Sequence, residues 1–165
     1  MKKNLFSSAL IAIAVVLLAG CTSNDPEKLA VGTWTAVNYV ASDADEIIKS
    51  DVNFETQTMS YYVGGTLAES DPFPYQSTLT LDEQGNIKVI TTSNGEVMES
   101  ETGTYKIEKK RKELLFVYTD GDGDSMQGQI TTLTNSALVL ETTQEIEIPD
   151  PEGKMNVKIV LTYKR

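Results

Sequence analysis

One thiol and a scatter of carboxylates are the reactive side chains this sequence offers. Cys21 is its only cysteine, and histidine is absent from all 165 residues. Without histidine the commonest general base and metal ligand are missing, along with every Ser-His or Cys-His nucleophile pair. Without a second thiol no internal disulfide forms, so stability must come from packing. Asp120, Asp122 and Asp124 alternate with Gly121 and Gly123, and three carboxylates at alternate positions can converge on a hard cation such as calcium. Yet the position that should close such a loop with a bidentate acid is Thr131, and Asp-Gly pairs also make ordinary hairpin turns. Glu141, Glu145, Glu147, Asp150 and Glu152 form a second acidic run. The first three share one parity, as on the solvated outer face of a strand, where charge also discourages edge pairing. No glycine-rich phosphate loop or nucleophile motif is present. These features argue against an enzyme and call for no cofactor.

Cys21 follows a positive start, Lys2 and Lys3, and an apolar stretch over residues 5–18 that ends in small residues. That order describes a cleaved secretion signal, and the stretch is short of the roughly 18–20 residues a membrane-spanning helix needs. Leu18-Ala19-Gly20-Cys21 resembles the lipobox of bacterial lipoproteins. The resemblance implies that Cys21 becomes the mature N-terminus and carries acyl chains such as palmitate, each buried methylene adding ~0.8 kcal/mol of membrane affinity. The competing reading is an ordinary signal with an incidental cysteine. Residues 1–21 are thus the expected signal, 22–28 a polar, proline-containing tether, and 29–165 the folded domain. Asp25 and Glu27 resemble the acidic signals that send some Gram-negative lipoproteins to the outer face of the outer membrane, although a plain solvated tether has the same composition. The expected location is the outer membrane, lipid-anchored, on its periplasmic or cell-surface face. Residues 22–165 carry twelve basic and twenty-four acidic side chains, a balance of −12. Such a surface repels phosphate backbones and excludes nucleic acid as a partner.

From Val31 onward the dominant period is two, the mark of strands with one buried face. Met155, Val157, Ile159, Leu161 and Tyr163 alternate with mostly polar residues; Leu138, Leu140, Ile146 and Ile148 do so in the segment before. Pro149 to Gly153 form the turn between them. Further strands are expected at 31–40, 77–81, 86–92, 102–108, 113–119 and 125–133. Residues 97–100 extend the 102–108 strand through a bulge near Gly103, and Asn94-Gly95 marks a hairpin. Lys109 to Lys112 read as a solubilising turn. About eight strands joined by short turns predict an all-β, up-and-down antiparallel barrel whose closure removes its edges. A β-sandwich is the alternative, requiring longer crossings.

Gly32-Thr33-Trp34 opens the first strand, Gly103-Thr104-Tyr105 lies in a middle one, and Tyr163-Lys164-Arg165 ends the chain. Together these resemble the lipocalin-like domains of bacterial lipoproteins. The resemblance implies that Gly32 eases the chain into the first strand while Trp34 closes the barrel floor under Arg165. Arg165 shares its parity with the inward residues of the last strand, and guanidinium over a desolvated indole contributes ~1–2 kcal/mol. Trp34 also reads simply as a core anchor. The chain departs from true lipocalins in lacking a helix after the last strand and an evident Asp-rich middle motif.

The one long connection, 41–76, holds Phe54, Tyr61, Tyr62, Phe73 and Tyr75, five of the eleven aromatics in residues 22–165. A helix at 43–50 and a strand at 57–63 are expected within it. These aromatics read either as a lid over a small apolar ligand or as an added helix or hairpin capping the core. Two functions follow: a lipid-anchored envelope protein binding a small apolar or amphipathic molecule, or a surface interaction module with a filled barrel whose loops meet a protein partner.

Overall fold

The computed structural model describes residues 25–147 and 154–165. The leader with Cys21, and residues 148–153 with Ile148, Asp150 and Glu152, lie outside the described residues. The chain starts in a single helical turn, α1 (Pro26–Ala30), where the Asp25 side chain accepts from the Glu27 amide at 3.2 Å. Pro26 occupies the first turn, where its missing N–H costs nothing. The expected tether of 22–28 is therefore helical in its last part. An aspartate cap precedes a proline start, and burial of Ala30 holds the turn against the barrel.

Eleven antiparallel strands follow: β1 (Gly32–Asp43), β2 (Ile48–Asn53), β3 (Thr58–Val63), β4 (Thr66–Pro72), β5 (Tyr75–Leu81), β6 (Asn86–Ser93), β7 (Glu96–Lys110), β8 (Glu113–Asp120), β9 (Ser125–Leu133), β10 (Ala137–Glu147) and β11 (Lys154–Lys164). From β5 to β11 each strand pairs with the next, and β11 pairs with β1 from Thr35↔Lys164 to Asp43↔Val157. β1 in turn pairs with β5 through Gly32↔Leu81 to Thr35↔Thr78. Eight strands thus close on themselves. This is the up-and-down barrel expected from the alternation, and because the last strand bonds to the first the sandwich is excluded. Tight turns fit their residues: Asn94 and Gly95 take φ of 51° and 83°, as a type I′ hairpin requires.

Two expectations are corrected. Residues 43–50 form no helix. β5 covers only the first third of β1, leaving the edge at Asn38–Ser42 free, and β2 pairs there, from Asn38↔Asn53 to Ser42↔Lys49. The Asp43 carboxylate closes the turn by accepting from the Ile48 amide at 3.0 Å, with Glu46 at φ 54°. β2, β3 and β4 then form a three-stranded meander on the upper half of β1. The bulge in β7 sits at Met98, where Thr91↔Glu99 gives way to Thr92↔Val97, and not at Gly103.

The barrel has a closed end and an open end. At the closed end, termed the floor, Ala30, Trp34, Leu81 and Leu138 pack with at most 1% of their surface exposed. Inward Tyr105 and Phe116 stack at 5.7 Å above them. The open end, the mouth, lies at the hairpins β6–β7 and β8–β9 and at the upper ends of β10 and β11.

Candidate functional site

Above the packed floor the barrel is hollow. A cavity of about 150 Å³ opens toward the mouth, its deep part lined by Leu79, Ile87, Phe116, Leu140 and Tyr163. Higher on the same inner face lie Val89, Glu101, Tyr118, Met126, Thr142 and Leu161. The register explains the layering. Leu79 faces Val89, Val89 faces Glu101, and Leu140 faces both Ile130 and Leu161 across neighbouring strands. A void of this size between apolar walls is large enough for a benzene-sized body.

Two glycines shape the space. Gly128 lines the cavity opposite Phe116, where a Cβ would stand 3.2 Å from the Glu141 carbonyl oxygen. At Gly103 a Cβ would lie 2.2 Å from the Thr119 carbonyl oxygen and 2.8 Å from Cε2 of Tyr118. Gly103 therefore lets the backbone of β8 approach closely and leaves room for the Tyr118 ring. This glycine serves ring packing, which is why the bulge need not be there.

Among the described residues the cavity has few polar side chains: Glu101, Tyr118 and Thr142 toward the mouth and Tyr163 at its base. The Tyr118 hydroxyl is buried and finds no hydrogen-bond partner among the described residues. Burial pushes the Tyr118 phenol above its ordinary pKa, and the negative charges of Glu101 and Asp120 push it further the same way. Deeper in, burial raises the Tyr163 phenol to about 12. Both rings are neutral at physiological pH. Unsatisfied buried hydroxyls are rare because each forfeits the water it left behind.

The motif residues at the floor make a different kind of site. The Arg165 guanidinium carbon stands 4.0 Å from the centroid of a Trp34 ring, and its Nη2 donates to the carbonyls of Leu29, at 2.9 Å, and Val31. Trp34 is 0% exposed, and its Nε1 donates to the Ala30 carbonyl at 2.7 Å. Gly32 takes φ 138°, a region that disfavours side chains, and a Cβ there would meet Arg165 Nη2 at 3.0 Å. Every one of these contacts is internal.

The five insertion aromatics separate into two groups, and none of them lines the cavity. Phe54 packs against the core and meets Phe73 edge-on at 5.9 Å; Phe73 in turn lies 4.8 Å from Tyr75. Tyr62 lies on β3 under Lys49 Nζ at 5.3 Å, and the Tyr61 hydroxyl donates to Met59 Sδ at 3.4 Å. At the β8–β9 turn, Asp120 Oδ1 accepts from the amides of Asp122 at 3.0 Å and Asp124 at 2.9 Å. The aspartates build a turn, and among the described residues no three acidic, Cys or His side chains converge as metal ligands. Outer-face Glu141 and Glu145 pair with Lys158 and Lys154.

The sequence reading missed Glu101, Tyr118 and Gly128. The parity of Tyr118 with Phe116 and Leu114 was available as a signal, but strand alternation cannot say which inward side chains leave space between them.

Residues 31–140 match the family model described as a lipocalin-like domain. Among solved structures, a barrel from the de novo design of a fluorescence-activating β-barrel aligns with 86% of this chain and 97% of its own, at 12% identity and a TM-score of 0.39. No curated protein matches.

Proposed function

We propose, from the premise that this chain belongs to the family of lipocalin-like domains, that it binds a small apolar or amphipathic molecule in its barrel and performs no chemistry on it. The cavity above the floor carries this reading, because its walls are apolar and its one orphaned hydroxyl awaits a partner. A sequence without histidine, and a lining with a single carboxylate among the described residues, support binding without catalysis. The test is titration of n-propylbenzene into the full chain, followed by NMR. Leu161→Phe fills the cavity and abolishes the shifts while the fold is retained; binding that survives the filled cavity would place the ligand elsewhere.

In the cell we read the protein as a lipid-anchored component of the bacterial envelope. Support comes from the leader and from Leu18-Ala19-Gly20-Cys21. Since α1 joins the barrel at its floor, an anchor on Cys21 would hold the closed end toward the membrane and leave the mouth open to solvent. Cys21→Ser should abolish palmitate labelling and leave the melting temperature of the domain unchanged. Continued labelling in that variant would show that the anchor is elsewhere.

The alternative, an interaction module, is favoured by one observation. Ile48, Tyr61 and Val63 are exposed on one face of the β2–β4 meander, with Ile48 opposite Val63, and clustered apolar surface of this kind marks contact sites. Capture of an envelope protein by the full chain, lost in Ile48→Lys and Val63→Lys, would establish it.

A further inference from the structure

We infer that the cavity selects a small ammonium-bearing molecule: a benzene-sized apolar body seated below, with a cationic N–H head held at the mouth between Tyr118 and Glu101. This rests on the cavity being a ligand site and names the class of ligand it takes.

Three observations carry it. The cavity is graded: Leu79, Ile87, Phe116 and Leu140 with the Tyr163 ring form the deep wall, and Glu101, Tyr118 and Thr142 lie nearer the opening. A ligand therefore enters apolar end first and leaves its head group at the level of Tyr118. Second, the charge around that level has one sign. Among the described residues Glu101 is the only charged side chain lining the cavity. The inner-face positions above it add Glu99, opposite Thr91, and Asp120, opposite Gly103. Lys88 on β6, opposite Thr102, and Lys154 and Lys158 on β11 belong to the outer face, the last two paired with Glu145 and Glu141. A carboxylate or phosphate head would meet like charge in a partly desolvated space, whereas an ammonium meets acceptors. Third, the Tyr118 hydroxyl lacks a partner among the described residues. As a neutral phenol it offers lone pairs to an N–H donor, and a ligand that satisfies it recovers what the empty barrel forfeits.

Size restricts the class further. About 150 Å³ admits a phenyl ring and a short linker, and no long acyl chain.

The experiment compares three probes that share a phenylalkyl body: phenethylammonium, 3-phenylpropionate and n-propylbenzene. Each is titrated into the detergent-solubilised full chain by calorimetry, at low salt and at high salt. The cation should bind at least about tenfold tighter than the anion, with the preference shrinking at high salt. Glu101→Gln should cost the cation about fivefold, the upper range for a solvent-accessible ion pair, and leave n-propylbenzene unaffected. Tyr118→Phe should weaken the cation and spare the hydrocarbon. Glu101 is exposed, so its variant is not expected to disturb folding, and circular dichroism of each variant checks this. If n-propylbenzene binds as tightly as the cation, or the anion binds as well, the ligand site stands and the ammonium inference falls. If none of the three binds, both fall.

Discussion

The two ends of the barrel are built from the same alternating strands, yet polar groups fare oppositely in them. Tyr105 and Tyr118 are direct cross-strand partners on the inner face. Toward the floor, the Tyr105 hydroxyl donates to the Asp82 carbonyl at 2.8 Å, and the Trp34 indole and Arg165 guanidinium likewise find backbone carbonyls. Toward the mouth, the Tyr118 hydroxyl is orphaned, the walls stand apart, and Val97, Met98, Met126 and Ile146 are exposed at the rim. The floor is arranged as proteins arrange a core, with each buried donor matched. The mouth departs from that rule, and such departures concentrate at functional sites.

If the floor is the stabilising end, truncation there must cost most. Trp34→Ala should destabilise by ~3–5 kcal/mol, the range for deleting a large buried aromatic, as measured by denaturant melts. Arg165→Ala should cost less, and the double variant should fall short of additivity by about 1 kcal/mol because both single changes remove the same contact. Strict additivity would mean that the guanidinium over the indole contributes nothing.

Alkaline pH probes the boundary between the two ends. Tyr163, at the base of the cavity, has its phenol raised to about 12 in the folded state, against about 10 in an unfolded chain. Between these values the unfolded chain gives up its proton while the fold keeps it, so stability falls as pH rises. The associated stability is fully present below pH 10, and roughly 2–3 kcal/mol of it is lost by pH 12. Tyr163→Phe should flatten that decline in pH-dependent melts. Burial also raises Tyr39, Tyr105 and Tyr118, so a residual slope remains. An unchanged slope would show that Tyr163 is not the group responsible.

The strands were legible in the sequence because each buries one face, and burial imposes a period of two. The segment 125–133 and the alternation from Met155 to Tyr163 needed nothing else. The insertion was harder to read. Asp43 to Ser50 has helix-forming composition, and its pairing with β1 depends on an edge left free because β5 stops short, a tertiary fact that no local window contains. Tyr118 shows the same limit. Its inward direction follows from parity, but its orphaned hydroxyl follows from where three strands leave room. Gly103 invites a bulge by its type, yet it is demanded by the close approach of the Thr119 carbonyl and the Tyr118 ring of the next strand.

The finest test of the contrast removes one oxygen from each of the paired tyrosines. Phenylalanine preserves ring, volume and stacking, so only the hydroxyl differs. Tyr105→Phe deletes a made hydrogen bond and leaves the Asp82 carbonyl with one partner fewer, which should cost about 1 kcal/mol. Tyr118→Phe deletes a buried hydroxyl with no bond to lose, so its removal should be neutral or stabilising by up to about 1 kcal/mol in the ligand-free protein. Only Tyr105→Phe should therefore lose stability in the same melt experiment, although the residues are direct partners across one pair of strands. Equal losses would mean that the Tyr118 hydroxyl is satisfied in solution, and the mouth would then obey the same rule as the floor. Adding a bound amine should reverse the sign for Tyr118 alone, because only then does its hydroxyl have a bond to lose.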